Sequence, residues 1–187
     1  MNCQTNETMQ SIFGRYSCRD FAETPLTEAQ IDALAKAAAA APSAMNRQPW
    51  QIVMVTDKAF IEELDAEGLR ILKAAQDPAR YDRVVSRGGK LFYNAPCMVM
   101  VATDGSQYAD IDCGILSQNV CLAAYSLGLG SVICAMAGIP LSGPRGDELK
   151  KRLRFPPGYR FGIAVLTGSA NTVNPPHELD MEKVEII

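Results

Sequence analysis

Two arginines and one serine alternate along a short stretch near the N-terminus of this chain. Arg15, Ser17 and Arg19 are separated by single residues. If the backbone is extended there, side chains two apart share a face, so both guanidinium groups and the hydroxyl point the same way. Such a set suits a phosphate or another planar anion, because guanidinium groups form forked, charge-assisted hydrogen bonds. The same residues also fit a solvated loop whose arginines pair with surface carboxylates, so other segments must distinguish the two.

The composition restricts which other chemistry the chain supports. Six cysteines include no C-x-x-C pair and the only histidine is His177, so neither a metal site nor a Cys–His catalytic pair is predicted. Gly128-Leu129-Gly130 is no dinucleotide fingerprint, because Ile133 replaces the third glycine and the segment follows a predicted helix. No catalytic protein residue is therefore predicted.

Charge and hydropathy exclude two classes of partner. The formal net charge of −3 provides no basic field for nucleic acid. No run reaches the ~20 apolar residues of a membrane span. The N-terminus is polar and lacks an apolar signal region, so we expect a cytoplasmic protein.

Length and hydrophobic periodicity predict a single α/β domain over residues 1–187. Helices are expected over residues 6–13, 28–41, 58–76, 110–127 and 146–155, and strands over residues 51–56, 97–103, 131–135 and 161–168. The segment 77–90 is charged and poorly periodic, which is typical of a mobile or surface element with a solvated face. The helix 110–127 is apolar nearly all round and must be covered on several sides. In a chain this short, a subunit interface is the economical cover.

Four segments, in chain order, resemble the FMN-dependent nitroreductases, and the resemblance spans roughly residues 6 to 187. The segments are Arg15-x-Ser17-x-Arg19-x-Phe21, Pro42-Ser43-x-x-Asn46-x-Gln48-Pro49-Trp50, the helix from Tyr108 to Gly130 and the strand from Phe161 to Gly168. The resemblance implies an α/β (α+β) fold of three layers. A central mixed sheet of four or five strands would be flanked by helices, with a buried central helix at the dimer interface.

The same resemblance assigns residues to an FMN site. Arg15 and Ser17, with Tyr16 between them, would hold the phosphate and ribityl end, while Arg19 reaches the phosphate or the N1/O2 edge of the ring. The loop from the other subunit would cover the flavin with Pro42, Ser43, Ala44 and Asn46. The remaining assigned residues are Lys90 at the ring, the amides of Ile133, Cys134 and Ala135 facing flavin N5, and His177 at the phosphate.

The activity implied by the resemblance is hydride transfer from NAD(P)H through FMN to an electron-poor acceptor, such as a nitroaromatic, quinone or enone. The protein would be a homodimer with ping-pong kinetics. FMN carries this chemistry, which agrees with the absence of a catalytic motif. Residues 77–93 and 104–109 would select the substrate. Two alternatives stay open, namely a flavin-binding sensor or storage module without turnover, and a reductive dehalogenase or flavin-fragmenting relative.

Overall fold

A four-stranded antiparallel sheet forms the centre of the fold. The computed structural model describes residues 6–75 and 78–187. The strands are β1 (Trp50–Val55), β2 (Cys97–Thr103), β3 (Gly130–Ile133) and β4 (Arg160–Gly168), in the order β1-β2-β4-β3. All three strand pairings are antiparallel, and the parallel pairing found is the isolated bridge between Ser17 and Ser131. The predicted mixed sheet is corrected in this respect, while the α/β class is confirmed.

Helices cover both faces of the sheet. They are α1 (Glu7–Gly14), α2 (Glu28–Ala39), α3 (Lys58–Ala74), α4 (Pro78–Val85), α5 (Ala109–Ser126) and α6 (Gly146–Arg152). Every residue of β2 is buried, and its side chains alternate between two cores. Met98 and Met100 pack in the core beneath α3 and α6, whereas Val99 and Val101 pack against α2 and α5. The predicted three-layer arrangement is confirmed.

Local sequence signals define most helix ends. Thr27 and Gln30 form the predicted capping box at the start of α2, which ends two residues earlier than expected. The Asp57 carboxylate accepts hydrogen bonds from two amides at the start of α3. Gly128, with φ of +72°, reverses the chain after α5. The predicted end of α3 at Gln76 lies outside the described residues, and the helix is described to Ala74.

The segment predicted as a mobile or surface element contains a helix, α4. Its residue 77 lies outside the described part of the chain. Val84 of α4 is buried in the core shared with α3, whereas Arg80 and Arg83 are exposed. Sequence reasoning missed this helix because Val84 is its only buried described residue. A single buried position is too few to produce a recognisable helical hydrophobic pattern.

One face of α5 is buried and the opposite face is open. The buried face packs on the sheet and α2 through Cys113, Leu116 and Val120. The open face carries four apolar side chains whose spacing places them on one side of the helix: Ile111, Ile115, Leu122 and Tyr125. We call this face the α5 surface. Ile111 is 63% exposed and Ile115 is 37% exposed in the single chain. The predicted cover on several sides is thus incomplete within one protomer.

Ion pairs from Glu63 join α3 to α6. The Glu63 carboxylate accepts hydrogen bonds from Arg145 and Arg152, and these guanidinium groups lower the pKa of Glu63 to about 2. Because the folded-state pKa lies below the unfolded-state value, the stabilisation is present above about pH 4.5 and is lost as the pH falls towards 2.

Replacing Glu63 with glutamine should lower the free energy of unfolding by about 1 kcal/mol at neutral pH, the scale of partly exposed ion pairs. At pH 2 most of this deficit should be gone, because the carboxylate is then protonated in the unfolded state and about half protonated in the folded state. Urea unfolding at the two pH values measures this difference, with Glu62→Gln on the same helix as control. A deficit of equal size at both pH values would contradict the electrostatic origin.

Candidate functional site

The predicted N-terminal residues line one cavity of about 440 Å³, here called the N-terminal cavity. Its wall brings together residues from both ends of the chain, namely Arg15, Tyr16, Ser17, Arg19, Asn174, Pro175 and His177. No acidic side chain contributes to this wall. Two guanidinium groups facing a space without a carboxylate produce a potential that favours an anion. His177 is therefore beside the arginines, as predicted, and Asn174 was not predicted to join them.

The extended backbone after α1 positions the arginines. Ser17 pairs with Ser131 in the parallel bridge, and the Cys18 amide donates to the Ser131 carbonyl at 2.9 Å. Cys18 is fully buried on the opposite side from the cavity. The predicted alternation therefore holds for Cys18 but not for Tyr16, which also lines the cavity and donates its hydroxyl to the Thr172 carbonyl.

Contacts of Asp20 bring the C-terminal segment to the arginines. The Asn171 amide nitrogen donates to the Asp20 carbonyl at 3.0 Å, and the Asn171 side chain donates to the Asp20 carboxylate at 2.9 Å. These bonds hold the chain three residues before Asn174. The position of His177 thus depends on tertiary hydrogen bonds that its local sequence does not encode.

A buried donor on Arg15 lacks a partner. The Arg15 Nε atom is shielded from solvent and has no hydrogen-bond acceptor among the described residues. An unsatisfied buried donor costs about 1–3 kcal/mol, and more when it is charged. The unpaired donor belongs to a residue that lines the N-terminal cavity, where a ligand would supply the acceptor.

The second predicted group, the loop 42–46, lies at the other end of α5. The Ala44 amide donates to the carboxylate of Asp112 in the first turn of α5. Gly14, next to Arg15, lies against Tyr125 in the last turn of α5. Tyr125 lies thirteen positions after Asp112 in the helix, a rise of about 20 Å. Within one chain, Pro42, Ser43, Ala44 and Asn46 are therefore not brought to the N-terminal cavity.

The loop is held in a strained conformation. Met45, Asn46 and Gln48 have φ of 53°, 52° and 47°, in the left-handed region that costs roughly 1–2 kcal/mol for most side chains. The Ser43 hydroxyl accepts from the Gln48 amide at 2.8 Å, and the Gln48 side chain donates to Asn46 at 3.0 Å. Strain maintained by such contacts is concentrated at functional sites. Trp50, after the loop, is partly buried and packs against the core.

The residues whose amides were predicted to face flavin N5, Ile133 to Ala135, lie at the end of β3 and just after it. The Cys134 amide donates to the Ala164 carbonyl at 2.8 Å, and its side chain is buried, so the expectation of a free amide is wrong for Cys134. Because strand amides alternate in direction, the Ile133 amide points off the other edge of β3. The Ser17–Ser131 bridge lies on that edge, and Arg19 and Ile133 each follow it by two residues on their own segments. Ile133 and the exposed Ala135 stay as predicted contacts.

Lys90 lines a separate space of about 130 Å³, here called the α4 cavity, together with Arg80, Arg83, Val84, Arg87, Tyr93 and Met136. The backbone next to Lys90 is fixed by Asp65 of α3, whose carboxylate accepts from the Phe92 amide at 2.9 Å. Burial raises the pKa of Asp65, and the hydrogen bond from the Phe92 amide opposes this rise. Sequence reasoning missed Asp65, although it lies beside Leu64 within the apolar stripe of α3.

Asp65→Ala should lower the free energy of unfolding by about 1–3 kcal/mol, because the amides of Leu91 and Phe92 lose a buried acceptor. Asp65→Asn retains an acceptor oxygen and removes a carboxyl that burial makes costly to ionise, so its loss should be smaller. Chemical denaturation of both variants measures the difference. Equal losses in the two variants would show that the Asp65 oxygen does not hold this backbone.

The remaining polar and thiol groups show no metal arrangement. Within residues 6–75 and 78–187, no three side chains of histidine, cysteine or acidic type are grouped to hold a metal ion. The cysteines of that part are free and buried at positions 18, 97, 113, 121 and 134. Burial raises the pKa of Cys97 to about 12, so it behaves as a small hydrophobic side chain. Across the described residues, every helix is too short or too polar to span a bilayer.

The sequence matches a known protein family, and the fold matches solved structures. The family model described as "Nitroreductase family" matches residues 12–168. A crystal structure of a nitroreductase with bound FMN from Desulfitobacterium hafniense is 46% identical with a TM-score of 0.95, over 98% of this chain and 100% of that chain. A nitroreductase with bound FMN from Bacteroides fragilis is 25% identical with a TM-score of 0.89, over 98% and 100% of the two chains.

Curated relatives are longer than this chain. An NADPH-flavin oxidoreductase of Vibrio harveyi is 30% identical over 146 residues, which cover 77% of this chain and 59% of that relative. The matched part of the chain spans between 55% and 66% of the length of five such relatives.

Proposed function

The chain belongs to the nitroreductase family, and from this premise we propose that it is an FMN-dependent oxidoreductase. It takes hydride from NAD(P)H and passes it to an electron-poor acceptor, such as a nitroaromatic, quinone or enone, with ping-pong kinetics. The FMN-bound crystal structures of similar chains support the cofactor, and the NADPH-flavin oxidoreductase relative supports the donor. The observation that carries the proposal is the buried, unpartnered Arg15 Nε atom at the N-terminal cavity.

The N-terminal cavity fits the phosphate end of FMN. A phosphate oxygen would accept from Arg15 Nε and remove the cost of burying that donor. Arg19 contributes a second cation, Ser17 a hydroxyl, and His177 a ring nitrogen on the same wall. A dianionic group bound by two guanidinium forks gains charge-assisted hydrogen bonds about twice as strong as neutral ones.

The ring end would lie along the β3 edge. Arg19 and Ile133 each follow the Ser17–Ser131 bridge by two residues, so a cation and a backbone donor would both be near this edge. Such donors stabilise negative charge that develops at the N1–C2=O edge of a reduced isoalloxazine. When bound, FMN supplies the hydride chemistry, and the protein's own groups bind it, orient it and tune its electronics.

A second copy of the chain would complete the site. In a two-fold dimer, the same surface faces itself, so antiparallel packing of two α5 surfaces brings the start of one helix to the end of the other. The loop 42–46 lies at the start of α5 and the N-terminal cavity at its end. Ser43 and Asn46 of the partner subunit would then cover the cavity that neither chain closes alone. Burial of the apolar α5 surface would stabilise this dimer.

Anaerobic reduction tests the activity. Purified protein should carry a flavin whose absorbance at about 450 nm disappears on addition of NADH or NADPH. After removal of the nucleotide, an electron-poor acceptor alone should restore the absorbance, because ping-pong kinetics separate the two half-reactions. A flavin that stays oxidised with both nucleotides would contradict the oxidoreductase and leave a binding module without turnover.

A further inference from the structure

Four cations converge on the α4 cavity. Arg80, Arg83 and Arg87 come from α4 and the turn after it, whereas Lys90 comes from the segment leading to β2. None of the lining residues is acidic. In the part of the chain that the structure describes, none of the four cations has a carboxylate within the 4.0 Å of an ion pair, although other arginines such as Arg145 do. Lys90 interacts electrostatically with Asp65 and Glu23, whereas the three arginines concentrate positive charge at a concave surface of an otherwise acidic protein.

The spacing of Arg80 and Arg83 places them on one helical face. Positions 80, 83 and 84 follow the i, i+3, i+4 pattern of one helical face, and the buried Val84 fixes the rotation of α4. Arg87 lies in the turn that follows the helix. A favourable interaction with the negative end of the helix dipole would account for Arg83 in the last turn. It does not account for Lys90, which reaches the same cavity from outside the helix. Two separate elements thus supply positive charge to one space.

The volume of the α4 cavity and its apolar wall restrict the kind of ligand that fits it. The cavity of about 130 Å³ is well below the roughly 300–1,000 Å³ that encloses a drug-sized molecule. Tyr93 and Met136 add apolar and aromatic surface beside the cations. A small ring bearing one acidic substituent matches this combination better than a dinucleotide does.

The turn after β3 connects the proposed flavin edge to the α4 cavity. Met136 lies three residues after Ile133, in the turn that follows β3, and Lys90 was assigned to the ring. Resting on the proposed function, we propose that the α4 cavity binds the carboxylate of an anionic electron acceptor. Arg83 and Arg87 are then specificity-determining residues that select acidic aromatic acceptors over neutral ones of the same shape.

The test compares 4-nitrobenzoate with 4-nitrobenzamide, which differ in charge and little in shape. Isothermal titration calorimetry on the purified protein should give at least about tenfold tighter binding of the carboxylate, the scale of one charge-assisted contact. Arg83→Gln/Arg87→Gln should abolish this preference, and added salt should weaken it in the wild type. Lys151→Gln, an exposed basic residue of α6, should retain it.

Three outcomes would overturn the inference. The first is that the wild type binds the two compounds with equal affinity. The second is that the double variant keeps the full preference for the carboxylate. The third is that the double variant loses only a discrimination between NADPH and NADH. The last would assign the cations to the donor. Because calorimetry measures binding without turnover, a protein that fails the anaerobic reduction still gives a result here. Failure of the oxidoreductase proposal and failure of this inference are therefore distinguishable.

Discussion

Replacing Arg15 with alanine is expected to remove FMN from the protein during purification. The change deletes a half-buried guanidinium whose Nε has no acceptor among the described residues. Loss of one charge-assisted contact costs about 1.5–3 kcal/mol, which weakens binding by roughly 10- to 150-fold. Titration of the apoprotein with FMN, followed by flavin fluorescence, measures the dissociation constant.

Matched variants separate charge from geometry in this experiment. Arg15→Lys keeps the charge and loses the forked donor, so we expect intermediate affinity. Arg19→Ala should also weaken binding, whereas Lys151→Ala on α6 should leave it unchanged. Wild-type flavin occupancy in both Arg15→Ala and Arg19→Ala would assign the arginines to a solvated loop instead.

Placing a charge on the α5 surface should convert the proposed dimer to monomers and release the proposed flavin. Ile115 is 37% exposed in the single chain and would be covered in the dimer. Ile115→Glu would bury an unpaired carboxylate there, at a cost of several kcal/mol. Sedimentation velocity measures the assembly, and absorbance measures the flavin content of the same sample.

The control for this variant is Val85→Glu on α4. Val85 is 49% exposed and lies on a different helix, so its replacement should leave both assembly and flavin content unchanged. A wild-type protein that sediments as a fully flavinated monomer would refute the role given to Ser43 and Asn46.

Local patterns predicted those parts of the molecule that depend on local physics. The alternation of Arg15, Ser17 and Arg19 needed only an extended backbone, and the capping box at Thr27 needed only residues three apart. The direction of the strands was not predictable in this way. β2 pairs with β4 across two intervening helices, α5 and α6, and strand β3, and no local signal specifies that neighbour.

Other features depended on tertiary contacts between distant segments. Asp65 is buried because the amides of the 91–92 segment approach it, and those residues lie 26 or more positions away. The arginines of α4 were interpreted as a solvated face because charge alone does not reveal a helix. Only the insertion of Val84 into the core fixes the face on which Arg80 and Arg83 meet Lys90.

The separation of the two predicted half-sites along α5 is the central feature of this account. Arg15 lies near the end of the helix and the loop 42–46 near its start, about 20 Å apart in one chain. A site that needs both must take them from different copies. This requirement leads to a direct test by mixing two defective chains.

A heterodimer of Arg15→Ala and Asn46→Asp chains provides that test. Aspartate tolerates the left-handed backbone at position 46 and adds a negative charge that should repel an anionic cofactor. Each homodimer should bind FMN poorly. With differently tagged chains purified as the heterodimer, one of the two sites combines an intact Arg15 with an intact Asn46, so flavin content should recover to about half of the wild-type value. A heterodimer with no more flavin than its two parents would contradict a site shared between subunits.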